Sequence, residues 1–134
     1  MDILKINTKS REELVNVTTM LQEKIKANGW ENGLLFVYSP HTTAGMTINE
    51  GADPDVARDI LNTLKRVIPP SLDYTHVEGN SDAHIKTSLV GSSVQVIVEN
   101  SQLRLGTWQK IFLAEFDGPR TRTIWLNFYT SPEN

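Results

Sequence analysis

Three apolar patterns in the last third of the chain constrain the fold more than anything before them. Val94, Val96 and Val98 share one face of an alternating segment, Trp108 to Phe116 is apolar on both faces, and Ile124, Leu126 and Phe128 alternate again. Side chains of an extended chain point alternately to its two faces, so this period predicts strands. Asp117-Gly118-Pro119 supplies turn chemistry between the last two of them.

Upstream the period changes. Leu4 and Ile6 alternate with polar neighbours and predict a first strand. Ser10 and Glu13 have capping-box spacing, and Leu14, Val17, Leu21 and Ile25 recur at helical intervals up to Gly29, a natural C′ residue. The β-branched residues between Val15 and Thr19 weaken that helix, so a short second strand followed by a helix from about Thr18 fits equally well. Leu34 to Tyr38 predicts a buried strand ending at Pro40 and His41, and Met46 to Asn49 another. Asp53 and Pro54 offer an N-cap and an N1 proline to a helix whose apolar stripe is Val56, Ile60, Leu64 and Val67, stopped by Pro69 and Pro70. Residues 71–83 are polar and irregular, and a short helix over Asp82 to Leu89 precedes Gly91. This order predicts an α+β fold, a largely antiparallel β-sandwich with flanking helices on one side. No repeat, low-complexity tract or break in composition marks a linker, so residues 1–134 read as a single domain.

Composition narrows the function. With 39% hydrophobic and 22% charged residues the chain is ordinary for a folded soluble protein. A net charge of −3 gives no electrostatic case for nucleic acid, whose phosphates select basic surfaces. The absence of cysteine removes disulfides, Cys-based zinc sites and thiol catalysis, and fits a cytoplasmic protein. No apolar run approaches the roughly 18 residues of a membrane span, and the first residues lack a signal-peptide pattern.

All three histidines fall where the packing pattern breaks. His41 opens His-Thr-Thr-Ala-Gly after a buried strand, with Thr42 and Thr43 beside it; His76 lies in Tyr-Thr-His-Val-Glu-Gly; His84 follows Asn80 at helical spacing, with Lys86 beside it. Imidazole moves protons near neutral pH and binds transition metals, and three converging imidazoles are a standard zinc arrangement. Glu50, Asp55, Asp59, Asp82 and Glu115 could complete a metal shell or orient a histidine. Taken alone, each histidine reads just as well as a helix cap or a loop hydrogen-bonding group, and no pair has a recognised metal-ligand interval. A second constellation is Gly106-Thr-Trp108-Gln109: a glycine for close approach, an aromatic stacking face and an amide donor. Arg120 and Arg122, two apart, would point the same way as a fork for phosphate or carboxylate, though Trp108 can equally be a core anchor. No nucleophile elbow, Walker loop or dinucleotide fingerprint occurs.

Taken together and in order, His41-Thr-Thr-Ala-Gly, Asp53-Pro-Asp, His76, Asn80-Ser-Asp-Ala-His84, Gly106-Thr-Trp-Gln and Glu115-Phe-Asp-Gly-Pro-Arg resemble the YjbQ family, also called the UPF0047 or secondary thiamine-phosphate synthase family. The resemblance spans nearly the whole chain. It implies a compact α+β sandwich that assembles as a homotrimer, and it favours a hairpin followed by a helix over residues 3–28. It implies that the histidine and Gly-Thr-Trp-Gln segments meet in a polar pocket near subunit contacts, holding a divalent metal (zinc or magnesium) or an anion. The implied activity joins a pyrimidine diphosphate to a thiazole phosphate and releases pyrophosphate. Ile97 and Ser101 depart from the family pattern, where a proline and a turn glycine are common, which bears on the turn before Gly106.

On that reading His41, His76 and His84 are metal ligands or proton carriers and Glu115 an orienting carboxylate. Thr42, Thr43, Asn80, Lys86, Trp108, Gln109, Arg120 and Arg122 would hold a small phosphorylated substrate. The alternatives are a zinc-type hydrolase using the same histidines to activate water, and a binding protein without catalysis.

Overall fold

A computed structural model describes residues 1–132. The chain runs β1 (Asp2–Asn7), β2 (Glu13–Asn16), α1 (Thr18–Asn28), β3 (Gly33–Tyr38), β4 (Ala44–Glu50), α2 (Pro54–Val67), α3 (Ser81–Val90), β5 (Ser93–Glu99), β6 (Gln102–Leu103), β7 (Gln109–Glu115) and β8 (Thr121–Thr130). Two sheets form, a five-stranded one ordered β1-β8-β3-β5-β6 and a three-stranded one ordered β2-β7-β4. Every registered strand pair is antiparallel.

The alternation seen in the sequence becomes the main core. Leu35, Val37, Val96, Val98, Ile124 and Leu126 of the large sheet meet Ala44, Met46, Ile111 and Leu113 of the small one. The two-faced apolar run is explained by β7 being the middle strand of the small sheet: Ile111 and Leu113 face this core, while Ala114 and Phe116 belong to a second cluster under α2 and α3. Sheet, sheet and a helix layer therefore stack in that order. The expectation of helices on one side holds for α2 and α3 only. Leu21 and Ile25 of α1 are fully buried in the main core, against elements of both sheets.

Residues 10–28 take the strand-then-helix form, but without a hairpin: β1 pairs with β8 and β2 with β7, so the two lie in different sheets. The Ser10–Glu13 signal is real chemistry in another setting. The Glu13 carboxylate accepts the backbone N–H groups of Lys9 and Ser10 at 2.6 and 2.8 Å, closing a loop rather than opening a helix. Helix α1 is fastened to the start of β7, where Val17 N–H donates to Ile111 C=O and Ile111 N–H donates to the Thr18 hydroxyl. It ends on Gly29 at φ 64°, the left-handed conformation a C′ glycine adopts without strain. In α2, Asp53 accepts from Asp55 N–H beside Pro54, as the sequence indicates. The turn that Ser101 put in question is a two-residue hairpin between β5 and β6 with Asn100 and Ser101 both at positive φ (52° and 61°), the mirror-image geometry that suits strand twist.

Candidate functional site

The small sheet ends, at the C-terminus of β7, in a knot of buried charge. Glu115 is fully buried, and four donors converge on it: Arg122 twice, with Nε at 2.8 Å and Nη2 at 2.5 Å, the Thr8 hydroxyl at 2.7 Å and Asp117 N–H at 3.1 Å. Arg122 also donates to Thr43 Oγ1 at 2.9 Å. Burial pushes the Glu115 carboxyl upward, but the hydrogen bonds from Arg122, Thr8 and Asp117 outweigh it and leave it below the ordinary value. A carboxylate with every acceptor direction occupied fixes the β1, β7 and β8 chain ends together. It does not orient a histidine. Gly118 allows this approach, because a side chain there would overlap Ser10 C=O, the Glu115 stem and Thr8 Oγ1.

His41 is part of the same knot. Its Nε2 accepts the Thr123 backbone N–H at 2.9 Å, so the neutral ring carries its proton on Nδ1 and has no Nε2 lone pair left for a metal. Burial and then the positive charge of Arg122 hold its pKa below the usual histidine value, against a smaller upward pull from Glu115. Arg120 and Arg122 do not form a fork. Arg122 is bound inside to Glu115, whereas Arg120 bonds the side chain and carbonyl of Asp117 at 3.2 and 2.8 Å.

Lys86, expected to offer charge to an anion, is instead fully buried between Asp82 (2.8 Å) and Glu12 (3.2 Å). Asp82 in turn takes both guanidinium arms of Arg11 at 3.0 and 3.2 Å. Desolvation raises the Asp82 carboxyl, and the bonds from Arg11 and Lys86 more than compensate, leaving it below its ordinary value. This network ties α3 to the β1–β2 connection and turns its other face outward.

On that other face lies a cleft of about 390 Å³ lined by Tyr74, Thr75, His76, Ser81, His84 and Ile85. The His76 and His84 rings meet edge to face with centroids 5.5 Å apart. His76 Nε2 bonds Asn80 Oδ1 at 3.0 Å, and Asn80 Nδ2 donates to Asp117 Oδ2 at 2.9 Å. Among the described residues, the Ser81 hydroxyl is buried without a hydrogen-bond partner. It sits on the first residue of α3, where backbone N–H groups lack intrahelical acceptors and the helix dipole favours negative charge. The cleft thus combines a free hydroxyl, a helix N-terminus and two imidazoles.

The remaining expected residues lie elsewhere. Asp55 and Asp59 are exposed on α2, and Glu50 pairs with Gln109 at the opposite end of β7. Trp108 is 61% exposed, and Gly106 and Gln109 line a separate groove against α1 with Thr18, Gln22 and Lys26. Six residue steps of roughly 3.3 Å put about 20 Å between Gln109 and Glu115, so within one chain the two motif groups stay apart. Among the described residues no three His, Asp or Glu side chains converge as a metal centre. A three-histidine metal site therefore does not fit one chain: His76 and His84 meet, and His41 is committed to Thr123. Ser81 and Asp117 escaped the sequence reading. The helix start at Asn80-Ser-Asp was the available signal for Ser81; Asp117 was marked only as a turn and motif residue, and nothing local tied it to Asn80.

Fold and cleft define a two-sheet α+β sandwich with a polar pocket at the N-terminus of a helix packed on its small sheet. The chain belongs to the YjbQ family: the family described as UPF0047 protein YjbQ-like matches residues 2–131. It is 52% identical to a UPF0047 protein of Methanocaldococcus jannaschii over 91% of this chain and 88% of that one. It is 50% identical to the UPF0047 protein YugU of Bacillus subtilis over 92% and 94% of the two chains. The crystal structure of an uncharacterized YjbQ/UPF0047-family protein from Clostridium acetobutylicum superposes with a TM-score of 0.93 at 48% identity, covering 96% of this chain and all (100%) of that one. Among the described residues no helix is long and apolar enough to cross a membrane.

Proposed function

We propose that the cleft binds a phosphorylated small molecule, and that the protein is a cytoplasmic transferase of the thiamine phosphate synthase kind. Ser81 is the observation that supports this reading. A buried hydroxyl without a partner is costly unless a ligand satisfies it, and this one stands at a helix N-terminus beside two imidazoles. A phosphate there would accept from the Ser81 hydroxyl, from the first N–H groups of α3 and from a protonated His76 or His84. In the reaction, the bond between the pyrimidine's methylene carbon and the diphosphate breaks. Its electron pair leaves with pyrophosphate, and the thiazole nitrogen takes its place on carbon. Charge growing on the leaving group is what such donors stabilise. The hydrolase alternative needs a metal-held water, and a single chain does not assemble the three ligands for one.

The test is pyrophosphate release by the purified protein given both substrates. His84→Ala should abolish it with the denaturation midpoint unchanged; unaltered turnover in that variant removes the assignment. A wild-type protein that binds both phosphates and releases no pyrophosphate is a binding protein, which ends the transferase reading and keeps the cleft.

The same reading includes a homotrimer. The outer face of the large sheet supports self-association: Phe36, Tyr38 and Trp125 stack along it at 6.2 and 5.8 Å, and Ile97 and Tyr129 continue it, 58% and 56% exposed. The polar positions alternating with them, Gln95, Thr123 and Asn127, are uncharged. The charged residues on this face, Lys5 opposite Thr123 and Glu99 paired with Arg104, stand to either side of the aromatic centre, which can meet another copy without burying them. Light scattering at micromolar concentration checks it, and a monomer there overturns it.

A further inference from the structure

The hydrogen bonds around His76 determine which of its nitrogens is free, through a residue two hydrogen bonds away. An ionised carboxylate only accepts, so whatever part of the Asn80 amide faces Asp117 must be its NH₂. The amide oxygen is then the part that faces His76, and it too only accepts. His76 Nε2 must therefore carry hydrogen, which leaves Nδ1 as the free nitrogen of the neutral ring. Asp117 is itself held, since Arg120 donates to its carboxylate at 3.2 Å and to its carbonyl at 2.8 Å. His41 shows the opposite arrangement, its Nε2 accepting from Thr123 N–H.

We propose that Asp117 is a positioning residue: it fixes the Asn80 amide, which locks His76 with its proton on Nε2 and offers Nδ1 to the ligand of the cleft. Its role is to set the state of a histidine across two elements, from the β7–β8 turn to the N-cap of α3. The lock follows from hydrogen-bond chemistry alone; the use of Nδ1 rests on the proposed phosphate site. The charged or titratable groups facing His76 are Glu78, whose carboxylate lies 3.7 Å from Nε2, His84 across the ring contact, and Asp117 with Arg120 behind Asn80.

Long-range proton–nitrogen NMR of the full chain above pH 8 reads the tautomers directly. His76 should give the Nε2–H pattern and His41 the Nδ1–H pattern in one spectrum. In Asp117→Ala nothing at position 117 accepts from the Asn80 amide, so the lock is lost: His76 should move to a mixture while His41 stays unchanged as an internal reference. An Nδ1–H pattern for His76 in the wild type, or an identical spectrum in Asp117→Ala, overturns the proposal. Asp117→Asn is the second variant: Arg120 donates to the same oxygen as Asn80 and holds an amide oxygen there, so this variant should keep the wild-type tautomer. Titration with inorganic phosphate separates the two layers. Binding should move the His76 Nδ1 resonance and weaken about two- to tenfold in Asp117→Ala, the scale of one oriented hydrogen bond. Equal affinity in both proteins overturns the offered-nitrogen half. A wild type whose His76 and His84 resonances ignore phosphate removes the anion site and leaves the tautomer result standing.

Discussion

The two ends of β7 carry the two motif groups of the sequence, and they are built on opposite principles. At the Glu115 end charge is buried and saturated: Glu115, Arg122 and Lys86 are at most 4% exposed and each meets an oppositely charged partner. At the Gln109 end the side chains lie open, with Trp108 61% exposed and the Gln109 carbonyl merely closing its own turn onto Gly106 N–H at 2.8 Å. The comparison teaches that residue type does not reveal duty. Most charged groups at the first end have turned inward to hold chain segments together, and the histidine cleft rests on the scaffold they make. The tryptophan at the second end shows most of its surface to solvent in a single chain, which leaves it free for contact with something else.

The largest expected effect tests the saturated end. Arg122→Met leaves Glu115 buried without its charge partner, a situation that costs about 3–5 kcal/mol. Gln109→Ala, an exposed change on the same strand, should stay within about 0.5 kcal/mol. Urea denaturation of both variants gives the two numbers. Should Arg122→Met cost under about 1 kcal/mol, the buried pair does not hold this end and the contrast collapses.

Acid sharpens the same contrast, and the sign can be worked out for each group. The His41 pKa is lowered by folding, chiefly by burial and then by Arg122, so below the ordinary histidine value of 6.5 the unfolded chain binds a proton that the folded one refuses. Stability is therefore complete above about pH 6.5 and begins to fall beneath it. Glu115 and Asp82 are also lowered by folding, so their contribution is complete above the ordinary carboxylate values of 4.5 and 3.8 and is lost as pH drops through their depressed ones. Denaturation midpoints should thus decline in two stages. His41→Gln should erase the upper stage and leave the lower; an upper stage that survives in the variant would show that another group carries it.

What the sequence made legible follows from how local each signal is. The two-residue periods of β5 and β8, the two-faced apolar run of β7, the Asp53-Pro54 start of α2 and Gly29 at the end of α1 need only neighbouring residues, and each stands where expected. The helix suggested before Thr18 did not form because β7, buried on both faces, must have the backbone groups of both edges paired, and Glu13 to Asn16 pairs with one edge while β4 pairs with the other. Long-range pairing overrode a local cap. The Glu115–Arg122 bond joins residues across a turn, and the Asp117–Asn80–His76 chain joins three segments, so no spacing rule could announce either. The Asp82–Lys86 pair was readable at i,i+4 spacing on a helix, but burial, which the sequence hides, decides whether such a lysine meets solvent or a carboxylate.

The smallest effect on stability belongs to the open end, and it is the more informative for that. Trp108→Ala removes a large aromatic, yet most of its surface already lies in water, so the denaturation midpoint should move by no more than about 0.5 kcal/mol. If Trp108 has no work beyond its own chain, pyrophosphate release should also be unchanged. In a trimer that brings this end of one chain to the histidine cleft of another, the same substitution should lower turnover while stability stays level. The two measurements on one variant therefore separate an idle surface tryptophan from one that acts outside its own chain. A large loss of stability would contradict both, because it would mean that Trp108 packs where this structure leaves it open.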